Sequence, residues 1–165
     1  MVKNVEVYMK RLREDAITPN YAHGVEDSGM DVYASAIAVK ENGKWNEYDN
    51  YMLDPHETVL VKIGFAFAIP TGTELQARPT SGNSLKTMLR VANAPGTIDS
   101  GYRDEIGIIL TNTGEDPITI HKNDKVAQLV LCPVLHAVIN EVATLPESIR
   151  GENGWGSTGT IKDAK

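Results

Sequence analysis

Apolar and polar residues alternate in short bursts along this chain, and glycine, proline or Asn/Asp residues separate the bursts. Val5, Val7 and Met9 alternate with Glu6 and Tyr8, which predicts a first strand. Val59-Leu60-Val61 and Gly64 to Pro70 predict two more before a turn at Thr71-Gly72, and Thr73 to Arg78 alternates again. Ile106, Ile108 and Leu110, with Gly107 and Ile109 between them, predict a strand buried largely on both faces. Ile118 with Ile120, then Lys125 to Val130 and Val134 to Val142, continue the two-residue period. Only Ser84 to Leu89 predicts a helix, with Ser81 or Asn83 as its N-cap. Short strands at even spacing indicate an all-β sandwich or barrel.

Two stretches interrupt this rhythm. In residues 37–52, Asn42-Gly43 is a strong hairpin signal, and Trp45, Tyr48 and Tyr51 follow at three-residue spacing. This predicts an inserted hairpin arm, whose aromatics pack on the domain, line a subunit contact or meet another protein. In residues 93–107, Pro95-Gly96 and Gly101 bracket Asp99, and Tyr102 follows three residues later. A carboxylate on such a loop has two readings: a turn cap, or a general base at the mouth of a β-structure.

Composition narrows the class. The chain has 165 residues, 41% hydrophobic and 23% charged, which fits one globular domain. It contains no run of 18 apolar residues and no apolar h-region near Met1, so neither a membrane span nor a signal peptide is expected. Cys132 is the single cysteine, inside an apolar run, and reads as a buried thiol suited to a reducing cytoplasm. The net charge of -6 argues against duplex nucleic acid as a partner. A nucleotide remains compatible, since a triphosphate needs only a few local cations and amides plus a divalent metal.

Five segments then carry the candidate chemistry. They are Ser28-Gly29-Met30-Asp31-Val32-Tyr33-Ala34, Pro79-Thr80-Ser81-Gly82, Gly96-Thr97-Ile98-Asp99-Ser100-Gly101-Tyr102-Arg103, Lys125-Val126-Ala127-Gln128-Leu129, and Arg150 to Gly159. In order, they resemble the five signature motifs of the trimeric dUTP diphosphatase (dUTPase) family. There are departures: Thr80 stands where the family has arginine, Trp155 where it has phenylalanine, and Asn153 where it has a glycine. Arg78, Lys86 and Arg90 are candidate substitutes for the missing arginine.

The resemblance implies a distorted jelly-roll β-barrel assembled as a homotrimer, with active sites at the subunit interfaces. It implies dUTP + water → dUMP + pyrophosphate with Mg²⁺, a reaction that limits uracil in DNA and supplies dUMP for thymidylate synthesis. Asp99 then takes the proton of a water attacking the α-phosphorus. Asn93, Thr97, Ile98 and the backbone from Ala94 read uracil, and Tyr102 lies against the sugar. Thr80, Ser81, Gly82, Gln128 and Arg150 belong to the phosphate site, and Asp31 holds a water of the metal. Residues 1–149 form the barrel domain, and residues 150–165 a glycine-rich lid that brings Trp155, Gly156 and Ser157 over the substrate. Two alternatives accompany this reading. A dCTP deaminase relative would carry a catalytic glutamate where this chain has Ile108 and Ile109. A regulatory binding protein of the same fold would use the 37–52 arm as its contact surface.

Overall fold

A computed structural model describes residues 4–151. The chain divides into two units, Met1–Leu135 and His136–Lys165. The first unit holds all the strands among the described residues. They are β1 (Tyr8–Arg11), β2 (Met30–Tyr33), β3 (Ala36–Glu41), β4 (Lys44–Tyr48), β5 (Asn50–Leu53), β6 (Thr58–Lys62), β7 (Phe65–Ala68), β8 (Thr73–Arg78), β9 (Leu89–Val91), β10 (Gly96–Asp99), β11 (Gly107–Asn112), β12 (Ile118–His121) and β13 (Lys125–Pro133). One helix, α1 (Ser81–Lys86), lies between β8 and β9. The all-β expectation with one short helix holds.

Two sheets carry the unit. A four-stranded sheet runs β10-β8-β13-β2, and a five-stranded sheet runs β4-β3-β6-β11-β9. Their inward residues form a single core: Val32, Leu75, Ala77 and Leu129 from the first, Ile37, Val61, Ile108 and Leu110 from the second. Two smaller pairings, β1 with β7 and β5 with β12, complete the distorted jelly-roll. Asn112 is fully buried and acts as a polar keystone, its amide donating to the carbonyls of Leu53, Asp54 and Asp116 while its oxygen accepts from Gly114 N. Every polar atom of its side chain is paired, so its burial carries no unmet hydrogen bond. Among the described residues no helix is long and apolar enough to cross a membrane.

Several local expectations need correction. The first strand is Tyr8–Arg11 rather than one beginning at Val5, because pairing with Phe65–Ala68 starts at Tyr8. The helix begins at Ser81 and ends at Lys86, and Leu89 belongs to β9 instead. Thr87 stops the helix in an extended conformation at its C-cap. Strand β11 is buried on one face only: Ile108 and Leu110 enter the core while Ile109 is exposed. Cys132 is half-buried rather than buried.

The hairpin expected at Asn42-Gly43 joins β3 to β4, with positive φ at both turn residues, as a two-residue turn of this kind requires. Ala36–Val39 of β3 are core residues, whereas all five residues of β4 are exposed. The Tyr48 and Tyr51 rings meet tilted at 37° with centroids 5.6 Å apart, while Trp45 stays mostly exposed. The β pattern read from Val134 to Val142 forms no strand beyond Pro133: the Val134 amide still donates to the Gly72 carbonyl at 2.9 Å, and the described residues of the second unit form no strand. Val138, Ile139, Leu145 and Ile149 there are exposed.

Candidate active site

Residues 93–107 build one wall of a cavity. The stiff loop expected around Asp99 begins only after it: Gly96–Asp99 is strand β10, which pairs antiparallel with β8, and Asp99 ends it opposite Glu74. The Tyr102 amide donates to the Asp99 carbonyl at 3.0 Å, closing a turn across Ser100-Gly101. Asp99 is thus both the turn residue and an exposed carboxylate at the strand end. Gly96 is buried, and a Cβ there would stand 3.1 Å from Asn93 Nδ2 and 3.3 Å from Ala77 Cβ. Glycine at this position leaves the Asn93 side chain its place.

The resulting cavity, about 260 Å³, is lined by Asn93, Thr97, Ile98, Asp99 and Tyr102, together with Leu60, Glu105, Ile106, Gly107 and Ile109. Apolar walls with a few convergent polar groups suit a flat heterocycle that has a polar edge. Tyr102 is 42% exposed, and its hydroxyl donates to the Glu105 carbonyl at 2.9 Å. Burial, with Asp104 and Glu105 nearby, pushes its pKa up, so the phenol stays a neutral donor at neutral pH.

A second group of expected residues gathers by strand register. Gln128 on β13 lies opposite Asp31 on β2 and opposite Arg78 on β8. Its amide donates to the Pro79 carbonyl at 3.0 Å. Any side chain at Gly29 would run into the Gln128 amide oxygen, so the first motif's glycine makes room for the fourth motif's glutamine. Lys125 Nζ sits 3.0 Å from Asp31 Oδ2, whose side chain is 16% exposed.

Thr80, not Ser81 or Asn83, is the N-cap of α1; its hydroxyl accepts from Asn83 N at 3.4 Å. The threonine at the family's arginine position therefore has a structural use. Ser81 and Gly82 open the helix and are exposed. Asn83 Nδ2 donates to the Lys125 carbonyl at 2.9 Å and ties the helix to β13. A cavity of about 470 Å³ is lined by Gln76, Arg78, Pro79, Ala94, Pro95 and Gln128. Of the three candidate arginine substitutes, Arg78 is the one that shares this cavity with Gln128. Arg90 instead donates to the carbonyls of Thr87 and Leu89.

The two cavities have no lining residue in common. Asp99 lies opposite Glu74, and Glu74 opposite Cys132, which is four residues along β13 from Gln128. With a rise of about 3.3 Å per residue and about 4.8 Å between strands, Asp99 and Asp31 stand roughly 20 Å apart in one chain. Arg150 lies in the second unit, and Trp155, Gly156 and Ser157 fall outside the described residues. Reading the sequence passed over Leu60 and Glu105, which line the first cavity. The chief partner of Glu105, Arg13, is 92 residues away, so no local pattern could have exposed it.

Comparison with known proteins gives the same direction. The family model described as dUTPase matches residues 47–159. A deoxyuridine 5'-triphosphate nucleotidohydrolase of Clostridioides difficile is 42% identical over 151 residues, covering 92% of this chain and 96% of the relative. One from Desulfotalea psychrophila is 43% identical over 160 residues, covering 96% and 99%. Among solved structures, a mutant Staphylococcus bacteriophage 80alpha dUTPase with dUpNHpp superposes with a TM-score of 0.77 at 25% identity, covering 94% of this chain and 99% of that one. With a family model over most of its length and relatives matched nearly end to end, the chain belongs to the dUTPase family.

Proposed function

We propose that this chain hydrolyses dUTP to dUMP and pyrophosphate at sites completed by a second copy of itself, with Asp99 as general base. The activity rests on family membership: curated relatives at about 40% identity are deoxyuridine 5'-triphosphate nucleotidohydrolases. The observation that carries the assignment of residues is the first cavity, where Asn93, Asp99 and Tyr102 converge. Asn93 has both a donor and an acceptor for one edge of uracil, and the backbone of Thr97 and Ile98 supplies further edge contacts. The Tyr102 ring lies against the sugar. Asp99, exposed at the strand end, accepts the proton of the water that attacks the α-phosphorus.

Phosphate recognition falls to the second group. Ser81 and Gly82 present a hydroxyl and backbone N–H groups, Thr80 shapes that turn, and the Gln128 amide reaches a phosphate oxygen. Because Asp99 and Asp31 are roughly 20 Å apart within a chain, farther than a triphosphate spans, a complete site needs two copies. The exposed apolar side chains of residues 138–149 support the same conclusion, since bare apolar surface of this kind marks a contact with another chain. The homotrimer of the family supplies such contacts. Arg150 and the tail with Trp155, Gly156 and Ser157 close over the substrate as a lid.

Mg²⁺ fits this arrangement through water. Among the described residues no cluster of three or more His, Cys, Asp or Glu is arranged to cage a metal. Asp31 offers a carboxylate, and Mg²⁺ is commonly held by one or two carboxylates, waters and substrate phosphates. Bound with the triphosphate, the ion would offset phosphate charge, and Asp31 would orient one of its waters.

The deaminase alternative loses its footing, because Ile108 is buried in the core and neither it nor Ile109 can transfer a proton. The test is pyrophosphate release measured with dUTP, dTTP, dCTP and UTP in parallel. Turnover of dUTP well above the others is expected; equal rates would remove the assignment.

A further inference from the structure

One cluster of charges lies outside the expected site and touches its wall. The Glu105 side chain is only 11% exposed, and three donors converge on it. Oε1 accepts from Arg13 Nε at 2.6 Å and from Gly64 N at 2.9 Å; Oε2 accepts from Arg13 Nη2 at 3.0 Å. Arg13 makes a second two-point contact, with Glu47 on β4, at 2.9 and 3.0 Å. Lys62 lies 2.6 Å from Glu47 and 3.7 Å from Glu105. The backbone of Glu105, in turn, accepts the hydroxyl of Tyr102, and the amide of Tyr102 is bonded to Asp99. Hydrogen bonds, linked through the covalent frames of Tyr102 and Glu105, thus connect Asp99, Tyr102, Glu105 and Arg13.

A partly buried ion pair is a poor source of stability compared with apolar packing, so its retention at a cavity wall points to geometry. We propose that Glu105 is a positioning residue: clamped by Arg13 and Gly64, it fixes the Tyr102 hydroxyl and so the wall that meets the sugar. This rests on the assignment of the first cavity to the nucleoside. The consequence is selectivity for deoxyribose over ribose, because an unfixed ring leaves space for a 2′-hydroxyl.

The experiment measures kcat/KM for dUTP and UTP in Glu105→Gln, Tyr102→Phe and the double variant, beside the parent. Glu105→Gln should lower the dUTP-to-UTP ratio by about tenfold, in the range one pocket contact can discriminate. The double variant should lose no more selectivity than the worse single one, because both substitutions break the same link. If Glu105→Gln does not give folded protein, Arg13→Lys takes its place; it keeps the Glu105 carboxylate but removes the two-point clamp, and should shift the ratio in the same direction. Two outcomes would overturn the proposal: an unchanged ratio with kcat/KM lowered equally for both nucleotides, or selectivity losses that add fully in the double variant. A parent that fails to hydrolyse dUTP would instead refute the underlying functional assignment.

Discussion

Asn93, Asp99 and Tyr102 reach their cavity from a single stretch, residues 93–102, whereas Asp31, Ser81 and Gln128 come from β2, α1 and β13. The first group is held by local devices: a strand end, a turn closed onto Asp99, and a buried glycine beside Asn93. The second is held by register, since Gln128 meets Asp31 and Arg78 only because β13 pairs with β2 and β8 in that alignment. The difference teaches how an enzyme can divide its work. On the proposed assignment, base and sugar recognition stays with one continuous stretch, while the phosphate contacts are spread along a sheet. On that assignment, neither region alone holds the whole substrate.

The sharpest way to break this comparison is to remove the reacting carboxylate. Asp99→Asn keeps the shape and the turn, since its carbonyl still accepts from the Tyr102 amide. It should lower kcat by about two to four orders of magnitude, the usual contribution of a general base, with the melting temperature nearly unchanged. Single-turnover kinetics with dUTP would expose a misassigned base as near-normal turnover.

The division between regions also predicts complementation. If each site takes Asp99 from one copy and Asp31 with Gln128 from another, two defective chains can repair each other. Asp99→Asn should be inactive, as should an Asp31→Ala and Gln128→Ala double variant. Co-expressing the two should restore activity in a fraction of the sites, because mixed assemblies contain sites with both regions intact. No recovery in demonstrably mixed oligomers would mean that each chain builds its own site.

A smaller and more pointed contrast uses two glycines. Gly29→Ala pushes a methyl group into the Gln128 amide, the far end of a flexible side chain, so folding should hardly suffer. Losing the Gln128 contact should raise KM by roughly five- to tenfold, the equivalent of about 1–1.5 kcal/mol for a neutral hydrogen bond. Gly96→Ala crowds Asn93 and the Ala77 Cβ instead. It should weaken inhibition by dUMP, while Gly29→Ala weakens inhibition by pyrophosphate. Equal effects of both variants on both inhibitors would erase the distinction between the regions.

What could be read from the sequence follows the same divide. The strands, the Asn42-Gly43 turn and the cluster around Asp99 depend on neighbours in the chain, so alternation and turn chemistry expose them. Thr80 was legible as a departure from the family but not as a helix cap, because Ser81 and Asn83 are equally good cap residues on paper. The one-sided burial of β11 was hidden by Ile109, an apolar residue that faces a cavity rather than the core. The bracing of Glu105 by Arg13 was invisible, since charges far apart in sequence carry no period and no spacing.

The last contrast is electrostatic and gives the smallest effect. The proposed nucleoside side is braced by charges, and the Glu47 carboxyl is displaced in its titration, as is the Arg13 guanidinium in the opposite direction. Hydrogen bonds from Arg13, then Lys62, hold its carboxyl down at about 2, against an ordinary value of 4.5. A folded-state pKa below the unfolded one means the contribution is complete above about 4.5 and disappears as pH falls through about 2. Since 37% of that side chain remains exposed, solvent screening keeps the contribution modest. Glu47→Gln should therefore melt slightly below the parent at neutral pH, and the gap should close as the pH is lowered through that window. Melting curves across the range decide the matter. A gap that stays constant down to the acid end would mean that Glu47 contributes through packing, and that its link to Arg13 does not brace the nucleoside wall electrostatically.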